Sequence, residues 1–150
     1  MFDQSKLGYS FPSFTLDVER CKIHELTLAI GDENPIYHSR EAALANEYKD
    51  VPISPTTPTI FSFWGNTQIW NQLASTGLNI SRILHGEEEY QFQAPIYPGD
   101  RLTGVMTIIN GKTRRSKDGS SMDIVTLETR YTNQEDQLVL TARTTMVINE

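Results

Sequence analysis

The sequence predicts an α+β chain in which one long, buried helix is wrapped by a curved antiparallel sheet of about five strands. Two observations predict it. In the stretch Ser54 to Ala74, Ile60, Phe61, Phe63, Trp64, Ile69, Trp70, Leu73 and Ala74 spread over more than one face of any helix drawn through them. A surface helix would show a narrower apolar stripe, so this one needs a wrapping. After Gly77 the pattern changes to period two, the signature of half-buried strands that can supply it.

Taken in order, residues 1–12 read as a loose lead-in. Phe14, Leu16 and Val18 alternate with Thr15 and Asp17 in a short strand, although Asp17 could instead cap the helix that follows. Ile23, Leu26, Ala29 and Ile30 recur at helical spacing from Glu19 to Ile30, and Gly31 supplies a stop. Pro35 disfavours a helical Asn34, so residues 31–38 form a turn-rich loop. Ser39 can cap a short helix through Leu44, and Val51 to Pro55 is a loop feeding the central helix. There Thr57 suits an N-cap, Pro58 the first turn and Gly77 the C-terminal stop. Gly65 inside this helix costs about 1 kcal/mol relative to alanine, which implies close approach of a strand or a ligand chain. Tyr90 and Phe92 alternate with Glu89, Gln91 and Gln93 in the first late strand. Leu102, Met106 and Ile108 share a parity in the next, then Val125, Leu127 and Tyr131, then Leu138, Leu140, Ala142 and Met146.

The 150 residues fit one domain with a real core and show no repeat or linker-like shift in composition. A net charge of −6 argues against a nucleic-acid surface. Lys112, Arg114, Arg115 and Lys117 form the basic cluster, read as a solvated loop, with a contact to a phosphate-bearing ligand as the alternative. The single Cys21 excludes an intrachain disulfide and fits a reducing, cytoplasmic setting. No signal peptide is visible, and no apolar run reaches the roughly 18 residues that span a bilayer. Three scattered histidines and one cysteine lack metal-ligand spacing.

Three sequence words carry a resemblance. Ala29-Ile30-Gly31-Asp32-Glu33-Asn34-Pro35-Ile36 is similar to the hydratase motif G-D-x-N-P-[aliphatic]. Leu84 to Tyr90 followed by Pro95 to Asp100, and Tyr131 to Glu135, are similar to the strand entry and last hairpin of the same family. Together they resemble the MaoC-like dehydratases and R-specific enoyl-thioester hydratases, of the hot-dog fold, over about Phe14 to Ile148. The resemblance implies addition of water to a trans-2-enoyl thioester, or its removal from a 3-hydroxyacyl thioester, of CoA or acyl carrier protein. An aspartate and a histidine would hold the water and move the proton, a task suited to groups that titrate near neutrality when partly desolvated. Backbone N–H groups near the start of the large helix, from about Thr56 to Ile60, would stabilise the enolate oxygen. No cofactor is implied beyond the thioester substrate.

The match departs from the family at one position that matters. The motif puts histidine five residues after aspartate, but the fifth residue after Asp32 is Tyr37 and His38 is the sixth. Tyr-His here resembles the family's N-terminal-type domains, several of which shape the acyl channel and leave catalysis to a partner. The loop Ile53-Ser54-Pro55-Thr56-Thr57-Pro58 also lacks the glycine common in catalytic members. Candidate catalytic residues are therefore Asp32 and His38, against a turn carboxylate and a structural histidine. Candidate substrate contacts are Asn34, Tyr37, Thr56, Thr57, Thr59, Gly65, His85, Arg114 and Arg115. Three functions compete: a hydro-lyase, a non-catalytic acyl-binding subunit of a heterodimeric dehydratase, and a hot-dog thioesterase. The last needs a carboxylate near the central helix, and none lies between Val51 and Arg82. An exposed sheet edge and a partly covered helix predict a dimer, of two copies or with a second hot-dog subunit.

Overall fold

The computed structural model describes residues 1–115 and 119–149. Five strands form one antiparallel sheet in the order β1-β3-β4-β5-β2, with β1 Phe14–Asp17, β2 Ile83–Phe92, β3 Arg101–Arg115, β4 Ser121–Thr132 and β5 Leu138–Asn149. The period-two residues face inward as their alternation requires: Leu102, Met106 and Ile108, then Val125, Leu127 and Tyr131, then Leu140, Ala142 and Met146 are all buried. Helix α1, Arg20–Ala29, ends at Gly31, whose φ of +71° favours glycine. Helix α2, Arg40–Ala45, starts under a Ser39 hydroxyl that accepts the Ala42 N–H at 3.3 Å.

The central helix lies across the concave face as expected, but in two pieces. A 3-10 turn, Thr57–Ile60, leads into α3, Phe61–Gly65, and α4 follows at Ile69–Ser75. Asn66 makes the break. Its side-chain oxygen accepts the Gln68 N–H at 3.1 Å and its amide donates to Gln72 at 2.7 Å, a local turn that competes with helical bonding. Each piece seats in its own part of the core. Phe61, fully buried, packs edge-on against Tyr131 at 5.5 Å, alongside Phe14, Leu102 and Leu140. Ile69 and Leu73 pack with Met106, Val125, Leu127 and Met146. Burial of each such side chain stabilises the fold by about 1.5–3 kcal/mol. Because the sheet covers one side of the broken helix, Phe63 and Trp70 remain 52% and 44% exposed, their rings 6.0 Å apart.

The first twelve residues are docked rather than loose. Phe2 and Phe11 are buried in the core beside α4. Glycine at Gly111 makes room for the Phe2 ring, which occupies the place a Cβ would need. The Phe2 and Phe11 N–H groups donate to Thr113 Oγ1 at 3.2 Å and to the Met106 carbonyl at 2.8 Å. Strand β2 is an edge, with Leu84 and Phe92 exposed on it. No helix among the described residues is long and apolar enough to cross a membrane.

Candidate functional site

Gly31 turns the chain out of α1 into a loop built on two side-chain-to-backbone turns. Asp32 Oδ1 accepts the Asn34 N–H at 3.0 Å, and Asn34 Oδ1 accepts the Ile36 N–H at 3.2 Å, capping the 3-10 turn Pro35–Tyr37. This folding delivers His38 back onto the loop. Its Nε2 lies 2.6 Å from the main-chain carbonyl oxygen of Asp32, and its Nδ1 lies 3.2 Å from Nδ1 of His24. A carbonyl only accepts, so Nε2 carries a proton. In the neutral ring Nδ1 is then the acceptor, and His24 donates to it. Asp32 and His38 are thus brought together, but through the aspartate main chain and not its carboxylate.

Tyr37 is buried beside them, and burial with the nearby Asp32 charge pushes its hydroxyl pKa up. An open cleft of about 760 Å³ adjoins this loop, walled by Tyr37, His24, His38 and Cys21 and by Arg20 and Arg40. Arg20 donates to Asp50 at 2.6 Å, which pulls that carboxyl down to about 2 and pushes the guanidinium up.

At the start of the central helix, Thr57 shares a 2.9 Å hydroxyl hydrogen bond with Ser54, both buried, so its side chain does not cap the helix. The Thr57 and Thr59 N–H groups donate to the carbonyls of Ser54 at 3.0 Å and Thr56 at 3.1 Å. Pro58 has none. The expected oxyanion donors at Thr57 and Thr59 are therefore already committed within the turn.

A second cavity, of about 300 Å³, lies between the broken helix and the concave sheet face. Phe63, Trp70, Leu73, Leu127, Met106 and Met146 give it an apolar wall, into which β2 projects His85 and Glu88. A register shift between His85 and Glu87 marks a bulge at Gly86. By strand alternation positions 85 and 88 would face opposite sides, and the extra residue turns both inward. Only glycine fits, since a Cβ would stand 2.9 Å from the Thr145 carbonyl oxygen. Thr144, directly across on β5, donates to Glu88 Oε1 at 2.9 Å, with His85 Nε2 3.9 Å from the same oxygen. Burial pushes the Glu88 carboxyl up, against the Thr144 hydrogen bond that holds it down. Burial also pushes Tyr90 up to about 12, and its hydroxyl shares a 2.8 Å hydrogen bond with Thr59. Glu88 was not among the sequence candidates; its signal was the shared parity with Tyr90, two residues on.

The remaining candidates lie elsewhere. The close approach expected at Gly65 is made by β1: a Cβ there would stand 2.7 Å from the Thr15 carbonyl oxygen and 2.8 Å from the Phe14 ring. Gly65 lines neither cavity. Arg114 and Arg115 sit at the end of β3 opposite Met122 and Ser121, and line neither cavity. Lys117, from the same basic cluster, lies outside the described residues. Among the described residues no three of His, Cys, Asp and Glu are grouped so as to hold a metal ion.

A five-stranded antiparallel sheet packed around a broken helix is the hot-dog fold, shared with solved structures of dehydratases. The chain belongs to the family described as FAS1-like, dehydratase domain region, whose model matches residues 5–142. It is 35% identical to a UPF0336 protein of Streptomyces avermitilis over 97% of this chain and 93% of the relative. A UPF0336 protein of Saccharopolyspora erythraea is 34% identical over 97% and 90%. Among solved structures it is similar to the HadBC (3R-hydroxyacyl-ACP dehydratase) complex of Mycobacterium tuberculosis, with 23% identity, TM-score 0.77, and 98% and 99% of the two chains covered. The MaoC-like dehydratase of Rhodospirillum rubrum matches with 22% identity, TM-score 0.71 and coverage of 100% and 97%.

Proposed function

We propose that this chain is the acyl-binding subunit of a cytoplasmic, two-component dehydratase or hydratase acting on acyl thioesters. It holds the chain of a 3-hydroxyacyl or trans-2-enoyl thioester of CoA or acyl carrier protein. A second hot-dog subunit, joined along the β2 edge, supplies the acid and base. One observation carries this reading. His38 Nε2 lies 2.6 Å from the Asp32 carbonyl and Nδ1 3.2 Å from Nδ1 of His24, so in the neutral tautomer that the carbonyl requires, the lone pair that would make His38 a base faces the second imidazole. The committed N–H groups of Thr57 and Thr59 weigh the same way. The apolar cavity under the helix suits an acyl chain, and the exposed Phe63 and Trp70 at its wall suit cover by a partner. Similarity to a protein described as a HadBC complex accords with a two-subunit assembly.

The competing reading is a hydro-lyase complete in itself, with Asp32 and His38 catalytic and Asn34, Tyr37 and the threonines contacting substrate. Following enoyl absorbance with crotonyl-CoA and longer enoyl-CoAs separates the two. The acyl-binding subunit alone leaves the absorbance unchanged at every chain length, and hydration starts when a hot-dog subunit with histidine five residues after aspartate is added. Turnover by the chain alone, abolished by Asp32→Asn and by His38→Ala, would overturn the proposal in favour of the hydro-lyase. Release of free thiol from acyl-CoA would instead establish a thioesterase.

A further inference from the structure

A cavity meant for plain hydrocarbon has no use for a carboxylate in its wall, yet the Gly86 bulge puts Glu88 and His85 there together. An ionised carboxylate offers acceptor sites for about four hydrogen bonds. Glu88 receives one from Thr144 at 2.9 Å and one from the Tyr90 hydroxyl, which is itself hydrogen-bonded to Thr59 at 2.8 Å, so about two acceptor sites remain. His85 Nε2, at 3.9 Å, is too far for a hydrogen bond. A bare alkyl chain brings no donor to the remaining acceptor sites and would leave the charge under-satisfied against Trp70, Phe63 and Leu127, at a cost that opposes binding. A ligand that brings its own donor avoids the cost. The neighbouring rows of the sheet extend the polar strip, with Thr144 between Glu88 and Leu127 and Thr129 beside Ala142.

Resting on the acyl-binding reading above, we propose that Glu88 is a specificity-determining residue: the cavity takes an acyl chain that carries a hydroxyl group along its length, and Glu88 accepts the hydrogen bond from it. His85 lends positive charge when protonated, and Thr144 holds the carboxylate in orientation.

The test is a titration of the whole chain, by calorimetry, with decanoyl-CoA and with its monohydroxy isomers, the hydroxyl moved one carbon at a time from the fourth position outward. Starting there keeps the series apart from the 3-hydroxyl of the dehydration reaction. One isomer, or two adjacent ones, should bind about tenfold more tightly than decanoyl-CoA, the size expected for a hydrogen bond to a charged group. Glu88→Leu should abolish that preference and bind decanoyl-CoA at least as well as the unaltered chain does. Glu88→Gln, which keeps the shape and an acceptor oxygen, should retain only part of it. Should Glu88→Leu fail to fold by circular dichroism, the isomer series on the unaltered chain and on Glu88→Gln decides. Equal binding of all isomers and decanoyl-CoA, or a preference that survives in a folded Glu88 variant unchanged, overturns the hydroxyl selection while leaving the acyl-binding reading intact. Saturable binding by none of the acyl-CoAs overturns both.

Discussion

Gly65→Ala tests the seam on which the helix and the sheet depend. The added Cβ would stand 2.7 Å from the Thr15 carbonyl oxygen, 2.8 Å from the Phe14 ring and 3.1 Å from Leu16 Cβ. Two of these neighbours belong to the backbone or the base of a side chain, so β1 and α3 must separate for the methyl group to fit. Overpacking of this kind costs about 1–3 kcal/mol. Alanine returns up to about 1 kcal/mol of helix propensity in a helix interior, and less here, because Gly65 is the last residue of α3. The net loss should be about 1–2 kcal/mol, and with about 2–4 °C lost per kcal/mol in a chain of this size, the melting temperature should fall by about 4 °C. Thermal unfolding followed by tryptophan fluorescence reads this directly, since Trp64 packs on Phe61 at 5.7 Å beside the affected turn. An unchanged or raised melting temperature would refute the close approach of β1 to α3, and with it the position of the helix over the cavity.

Two further outcomes follow from the same packing and charge. Phe2→Ala should cost about 3 kcal/mol in urea denaturation, because its ring is buried over Gly111; a loss within a few tenths of a kcal/mol would return the first residues to a loose lead-in. The Asp50 carboxyl is held down to about 2 by Arg20, below its ordinary 3.8. A depressed carboxyl stabilises the fold above the unfolded value, and that stability drains away as pH falls from about 4 through about 2. Asp50→Asn should therefore flatten the acid limb of the stability profile, and an acid limb identical to that of the unaltered chain would count against the ion pair.

The sheet was readable because β3 and β4 alternate over enough residues for one face to be fixed, as in Leu102, Met106 and Ile108 and in Val125, Leu127 and Tyr131. Gly31, Ser39 and the loop between them were readable because turn and cap chemistry is local. What escaped was either a long-range effect or a local competition. Phe2 and Phe11 dock through contacts more than a hundred and about ninety-five positions away along the chain, which no short window reveals. The apolar pattern runs on past Asn66, so the break appears only once its side chain is seen to take the Gln68 N–H. Glu88 sat in the run Glu87-Glu88-Glu89, and only the alternation with Tyr90 distinguishes the inward carboxylate from its two solvated neighbours. At the loop, the spacing of Asp32 and His38 was legible, but which atom of Asp32 meets the imidazole was not.

The central claim is that the cavity beneath the broken helix is an acyl site of limited depth. Its volume of about 300 Å³ holds about ten chain atoms at roughly 30 Å³ each. Affinities of saturated acyl-CoAs from acetyl to hexadecanoyl, measured on the chain alone, should tighten by up to about fourfold per methylene, the equivalent of about 0.8 kcal/mol, with a smaller gain for the methylenes that pass Glu88. The gain should stop near ten carbons. Affinity that is flat from acetyl onward would contradict the account.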